Sequence, residues 1–112
     1  MTLAQAGASV LVAAIAPYEQ TRRRARGLIE EHARFVEVHV SASISACIHR
    51  DPKGHYRKAL AGELPHFTGV SDPYEAPASP DLFVDTEALL PDQSAAHVLR
   101  KLQELEVVRL AA

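Results

Sequence analysis

Tryptophan is absent from the 112 residues and cysteine occurs once, at Cys47. A lone cysteine makes no intrachain disulfide, and without a CxxC pair or a Cys/His cluster there is no zinc signature. Long apolar runs are lacking too: none approaches the roughly 18 residues a spanning helix needs, and the N-terminus carries neither a basic segment nor a small-residue cleavage site. These absences predict a soluble, cytoplasmic protein with no membrane partner. An excess of positive charge is also missing, since 12 Lys+Arg face 14 Asp+Glu for a net charge of −2. General nucleic-acid binding, which requires a basic face to displace counterions, is therefore not expected, and any phosphate contact must be local. Hydrophobic residues amount to 47%, but 19 of the 112 are alanine, while Leu, Ile, Val and Phe together number 29. That supports one small domain with a modest core.

Ser9 to Ile15 (SVLVAAI) is a continuous apolar run, the pattern of a strand covered on both faces in a parallel sheet. It ends at Pro17, which suits a first helical turn. Tyr18 to His32 contains no proline, and Ala25, Leu28 and Ile29 recur at i, i+3 and i+4, predicting a helix with one buried stripe. Phe35 to Val40 alternates and is rich in β-branched residues, a second strand. Strand, helix and strand in succession make a βαβ unit. Ser41 and Ser43 offer hydroxyl caps to a short helix ending near Arg50, with Ile44, Cys47 and Ile48 on one face. From Asp51 to Pro80 the character changes: three of the five glycines and five of the seven prolines lie here, predicting a long functional loop or lid. Leu82 to Asp85 is a third short strand. Asp92 and Ser94 are positioned to cap a closing helix with the stripe Ala95, Val98, Leu99, Leu102 and Leu105. The expected fold is therefore α/β, an incomplete parallel sheet of about three strands with flanking helices. Both edges of so small a sheet need cover.

Two segments of the loop carry chemistry. Arg50-Asp51-Pro52-Lys53-Gly54-His55-Tyr56-Arg57-Lys58 places four cationic side chains within nine residues, suited to a polyanionic ligand or, alternatively, a solvated turn and helix surface. His66-Phe67-Thr68-Gly69 sets an aromatic beside a hydroxyl and a glycine. Phe67 either stacks on a base, worth about 1–3 kcal/mol, or plugs the loop onto the core. The turn Ala14-Ile15-Ala16-Pro17 lies at the carboxyl end of the first strand, where open α/β sheets bind ligands. Arg22, Arg23, Arg24 and Arg26 read as solvated helix surface, pairing with Glu19 or Glu30. The six histidines lack ligand-like spacing, so no metal site is expected, and Cys47 reads as core.

The combination AAIAPY, RDPKGHYRKALAGELPHFTGVSDPYEAP, FVDT and a closing amphipathic helix resembles the C-terminal part of adenylylsulfate (APS) kinase, from about Leu3 onward. The resemblance implies a P-loop nucleotide-kinase fold with a lid and APS-binding loop at about 50–80. It implies transfer of the γ-phosphoryl of MgATP, the co-substrate, to the 3′-hydroxyl of APS, giving PAPS in sulfate assimilation. By the same resemblance Lys53, Phe67, His66, Ile15 and Ala16 face APS, while Arg50, Asp51 and Thr86 lie toward ATP. No catalytic residue is assignable. Departures accompany the match: Ala16 replaces the family's serine, Leu60 replaces an arginine, and Pro65-His66 stands where the family has Lys-Gly. No GxxxxGK[ST] occurs among the five glycines, and the family's DGDN segment is missing. Because phosphoryl transfer is mostly positioning and charge stabilisation by such a loop and Mg²⁺, an N-terminal half of comparable length is expected to be absent. Two functions follow: the APS-binding and lid part of a kinase, acting as a homodimer or with a complementary kinase half, or a non-catalytic binding or assembly module that pairs with a full-length kinase or with itself.

Overall fold

The computed structural model describes residues 9–106. The elements run α1 (Glu19–Glu30), β1 (Val38–Ser41), α2 (Ile44–Arg50), α3 (His55–Leu60), β2 (Leu82–Asp85) and α4 (Pro91–Glu104). The architecture is α/β, and the described sheet has two parallel strands rather than three, with Val38 opposite Leu82 and Ser41 opposite Asp85. Parallel strands need a long crossover, and α2, α3 and the 61–81 loop supply it. The ladder is extended at both ends, because Asp81 and Leu82 donate to the Glu37 carbonyl and the Thr86 amide donates to that of Ser41.

Leu82 and Val84 point to the covered face, Val84 being only 1% exposed, and α4 packs against β2. Ala59 on α3 is the other buried apolar residue among those described. On the opposite face His39 meets the Phe83 ring edge-on at 5.4 Å. Val40 shares the face of its register partner Val84 but lies at the unpaired edge of the sheet, and it is 66% exposed.

The expected first strand, 9–15, is not formed. These residues carry no regular secondary structure, and Leu11 and Val12 are 93% and 81% exposed. An apolar strand of this type is stabilised only when a neighbour pairs with its backbone and layers cover both faces. Among the described residues no strand lies beside it. The second strand is shorter and later than its alternation suggests: pairing with Leu82 begins at Val38, and Phe35 instead packs under the Arg26 guanidinium, 4.8 Å from the ring centre. Helix α1 forms close to its expected span, but Leu28 and Ile29 are exposed, so the stripe is largely uncovered among the described residues. Pro17 precedes the Tyr18 cap rather than occupying the first turn.

Ser43 caps α2 as expected, its Oγ accepting from the Ala46 amide at 3.1 Å. The cap of α4 is displaced to Leu90, with Pro91 at the first helical position and the Gln93 side chain accepting from the Leu90 amide. Proline at N1 sets the backbone for the first turn earlier than Asp92 or Ser94 could act. The 51–80 segment is not loop throughout, since it contains α3.

Candidate functional site

Arg22 organises one half of the candidate site. It projects from the first turn of α1, and its side chain is only 9% exposed. The guanidinium donates to the Ala16 carbonyl, the Glu75 carbonyl and the Glu19 carboxylate, and it lies 5.9 Å from the Tyr74 ring centre. The Glu75 amide returns a bond to the Pro17 carbonyl at 2.8 Å, and the Glu75 carboxylate accepts from the Glu19 amide at 2.9 Å. A turn and a loop 56 residues apart are thus laced together at the start of one helix. Ala16 sits at φ +40°, a region L-residues occupy only when held there. The hydrogen bond from Arg22 holds the Glu19 carboxyl below its usual range, despite some desolvation in the other direction.

Arg26, one turn further on, pairs with Asp81, which also accepts from the Glu37 amide at 2.7 Å. Burial pushes the Asp81 carboxyl up, but that amide and the Arg26 guanidinium outweigh it and hold the group low. The Asp81 bond in turn raises Arg26. Glu19, Arg22, Arg23, Arg26, Glu37 and Ser79 line a cavity of about 300 Å³.

The other half of the candidate site is built on Asp51. Its carboxylate accepts from the Tyr56 and Arg57 amides at 3.0 and 3.1 Å, closing the N-terminus of α3, where Gly54 at φ +71° makes the turn. A carboxylate there also suits the helix dipole. Lys53 stands exposed on this turn and has no hydrogen bond or ion pair to the described residues. Tyr56 receives the edge of Phe67, with ring centres 5.0 Å apart and planes at 74°. Burial pushes the Tyr56 phenol up, and the Cys47 thiol adds to the shift through a hydrogen bond. The loop bearing Phe67 closes on itself: the Val70, Ser71 and Asp72 amides converge on the Phe67 carbonyl and Ser71 Oγ accepts from the Phe67 amide. Gly69, at φ +88°, lies so close to α2 that a Cβ would stand 2.5 Å from Ile44 Cδ1. His66 is strained at φ +54°, its side chain 88% exposed and its Nδ1 3.6 Å from Asp72 Oδ1.

The structure brings some of the expected residues together. Arg50 reaches across to Thr86, donating to its Oγ1 at 3.1 Å and its carbonyl at 2.9 Å, while Thr86 Oγ1 donates to the Ser41 carbonyl. Asp51 is occupied as a helix cap. Ile15 is exposed beside Ala16, and no hydrogen bond, ion pair or aromatic contact among the described residues joins this turn to Lys53 or Phe67. The expectation that the α1 arginines are solvated is corrected for Arg22 and Arg26, although the Glu19 and Glu30 pairings hold at 2.5 and 3.8 Å. Only the four-residue spacing of Arg22 and Arg26 hinted at a shared inner face; their partners Glu75 and Asp81 lie more than fifty residues away. Gly69 as a docking point and Glu87, which holds the Ser43 amide and hydroxyl at the start of α2, carried no sequence signal beyond composition.

The parallel strands, the cationic turn and the FTG and DPYEAP loops belong to one α/β unit. The adenylylsulphate kinase family model matches residues 1–85, and the chain belongs to that family. It is 42% identical over 106 residues to the adenylyl-sulfate kinase of Staphylococcus epidermidis, covering 95% of this chain and 53% of that protein. To the adenylyl-sulfate kinase of Myxococcus xanthus it is 47% identical over 111 residues, covering 98% and 60%. Among solved structures it is similar to the Mycobacterium tuberculosis APS kinase in complex with AMPPNP and APS, at a TM-score of 0.74 and 39% identity, covering 84% of this chain and 54% of that one. The chain spans about half the length of the relatives it matches.

Proposed function

We propose that this chain supplies the APS-facing wall and the lid of an adenylyl-sulfate kinase, whose reaction converts ATP and APS to ADP and PAPS. The observation that carries the proposal is the RDPKG, FTG and DPYEAP series, which lies within the residues matching the family. Lys53 is the compact cation for the phosphosulfate, free of partners among the described residues and so available there without breaking a bond. Phe67 offers a flat apolar wall to the purine, fixed by Tyr56. Ile15, Ala16 and His66 complete the APS side, and Arg50, Asp51 and Thr86 form the hinge of the lid toward ATP.

With no GxxxxGK[ST] in its 112 residues, the chain lacks a cradle for the β- and γ-phosphates. These residues do not fit MgATP on their own, so the chain binds APS without phosphorylating it at a useful rate. Purified chain supplied with MgATP and APS is expected to bind APS by calorimetry and to form no PAPS above background; PAPS formation at the rate of a full-length kinase overturns the proposal.

The second function, an assembly module, is favoured by the exposure of Val10, Leu11, Val12, Ile15 and Val40. Apolar surface and an unpaired strand edge of this kind invite a covering chain, either a second copy or a full-length kinase. Light scattering after size exclusion tests it, and a stable monomer of 12.2 kDa argues against it.

A further inference from the structure

We infer that Arg22 is the positioning residue of the APS-facing wall, the group that fixes the Ile15-Ala16-Pro17 turn against the Asp72–Glu75 loop; the inference rests on the APS-binding role proposed for that turn. Three observations converge on it. The side chain is almost fully withdrawn from water, at 9% exposed, although it belongs to a run of four arginines of which Arg23 is 72% exposed. Its two terminal nitrogens satisfy backbone carbonyls from two distant segments, Ala16 and Glu75, and the Glu19 carboxylate as well. The residue it holds, Ala16, is the one in the turn with a left-handed backbone, at φ +40°.

A strained alanine has no side chain with which to stabilise its own conformation, so the conformation persists only while its neighbours over-determine it. Here the neighbours are the Arg22 bond to the Ala16 carbonyl and the Glu75 amide bond to the Pro17 carbonyl. Arg22 also donates to the Glu75 carbonyl, so the guanidinium and the Glu75 backbone together tie the turn to the loop, and the two are ordered together. Lysine cannot replace the guanidinium. Its ammonium is a point donor, whereas the planar fork spans two carbonyls and a carboxylate at once. The buried Nε of Arg22 makes no hydrogen bond among the described residues and lies 3.6 Å from Glu37 Oε2, so it is the two terminal nitrogens that carry the contacts to Ala16, Glu75 and Glu19.

Hydrogen exchange and calorimetry on the full chain test this with Arg22→Lys and Arg22→Ala. In both variants the Glu19 and Glu75 amides are expected to exchange at least tenfold faster, with the Leu82 and Thr86 amides of the strand pair unchanged, and APS affinity is expected to fall at least tenfold. The strand amides serve as the folding control: a variant that loses them is set aside in favour of the other, and their loss in both variants makes Arg22 a residue of the whole fold and overturns the local positioning role. Arg22→Lys with wild-type protection at Glu75 and wild-type APS affinity overturns the inference. Should the wild-type chain itself show no APS binding, the proposed function falls, and exchange at Glu19 and Glu75 alone decides the role of Arg22: selective loss sustains the clamp, and unchanged protection overturns it.

Discussion

Replacing Gly69 by alanine is the sharpest test of how the FTG loop is held. Two costs and one gain decide the outcome. At φ +88° an L side chain meets its own backbone, costing about 1–2 kcal/mol. The new Cβ would stand 2.5 Å from Ile44 Cδ1, against about 3.5–4.0 Å for relaxed carbon contacts. Ile44 is itself 41% exposed, so its terminal methyl can swing aside for about 0.5–1.5 kcal/mol of rotamer strain rather than forcing the backbone apart. Alanine also stiffens the unfolded chain, returning about 0.4–1 kcal/mol. The net expectation is a loss of about 0.5–3 kcal/mol, read as a lower urea midpoint at unchanged slope. Ile44→Val removes Cδ1 and leaves Cγ1 at an ordinary 3.7 Å from the added carbon. In the double variant the clash disappears while the backbone cost stays, giving a coupling of about 0.5–1.5 kcal/mol. A Gly69→Ala chain as stable as wild type, or one that Ile44→Val fails to relieve, would refute the docking of this loop on α2, and with it the placement of Phe67 against Tyr56.

Lys53→Ala is expected to weaken APS binding by about ten- to a hundredfold in calorimetry, as loss of a charge-assisted hydrogen bond worth about 1.5–3 kcal/mol requires, with the melting temperature unchanged because Lys53 has no partner to lose among the described residues. Unchanged affinity removes Lys53 from the site. Phe67→Ala is expected to cost both affinity, at least fivefold for a lost stacking contact of about 1–3 kcal/mol, and stability through the lost edge contact with Tyr56; a lower melting temperature with intact affinity assigns Phe67 to packing alone. Asp81 and Glu19 are held below their ordinary values in the folded chain, so their stabilisation is complete above the unfolded carboxylate values near about 4 and drains away as the pH falls through the lower folded ones. Urea midpoints taken from pH 6 to 2.5 are therefore expected to drop on the acid side, less steeply in Asp81→Asn, and an identical slope in that variant would contradict the Arg26 pairing.

What was legible in the sequence was local. Leu82–Asp85 forms where its pattern places it, α2 ends at Arg50 as expected, and Ser43 caps it, because each depends on residues within a turn or a strand of itself. The helix α3 inside the expected loop escaped because its start is made by a carboxylate four residues upstream and a left-handed glycine rather than by a hydroxyl cap. The buried role of Arg22 escaped because a run of arginines on a helix has no local sign of facing inward; its acceptors come from the turn before the helix and a loop 53 residues later. The run Ser9 to Ile15 failed for a related reason. Its composition encodes a strand with cover on both faces, but pairing is decided by neighbours, and the described neighbours furnish one partner for β1 and none for this run. The energetic side of that mismatch can be sized. Covering Val10, Leu11, Val12, Ile15 and Val40 is worth about 5–10 kcal/mol at about 1.5–3 kcal/mol for each fully exposed side chain, discounted for partial burial. A whole domain is stable by about 5–15 kcal/mol. An apolar edge of this size is thus comparable to everything else that holds the fold, so the apolar residues that suggested a covered strand, with Val40 beside them, are the ones whose cover decides whether the α/β unit stands alone.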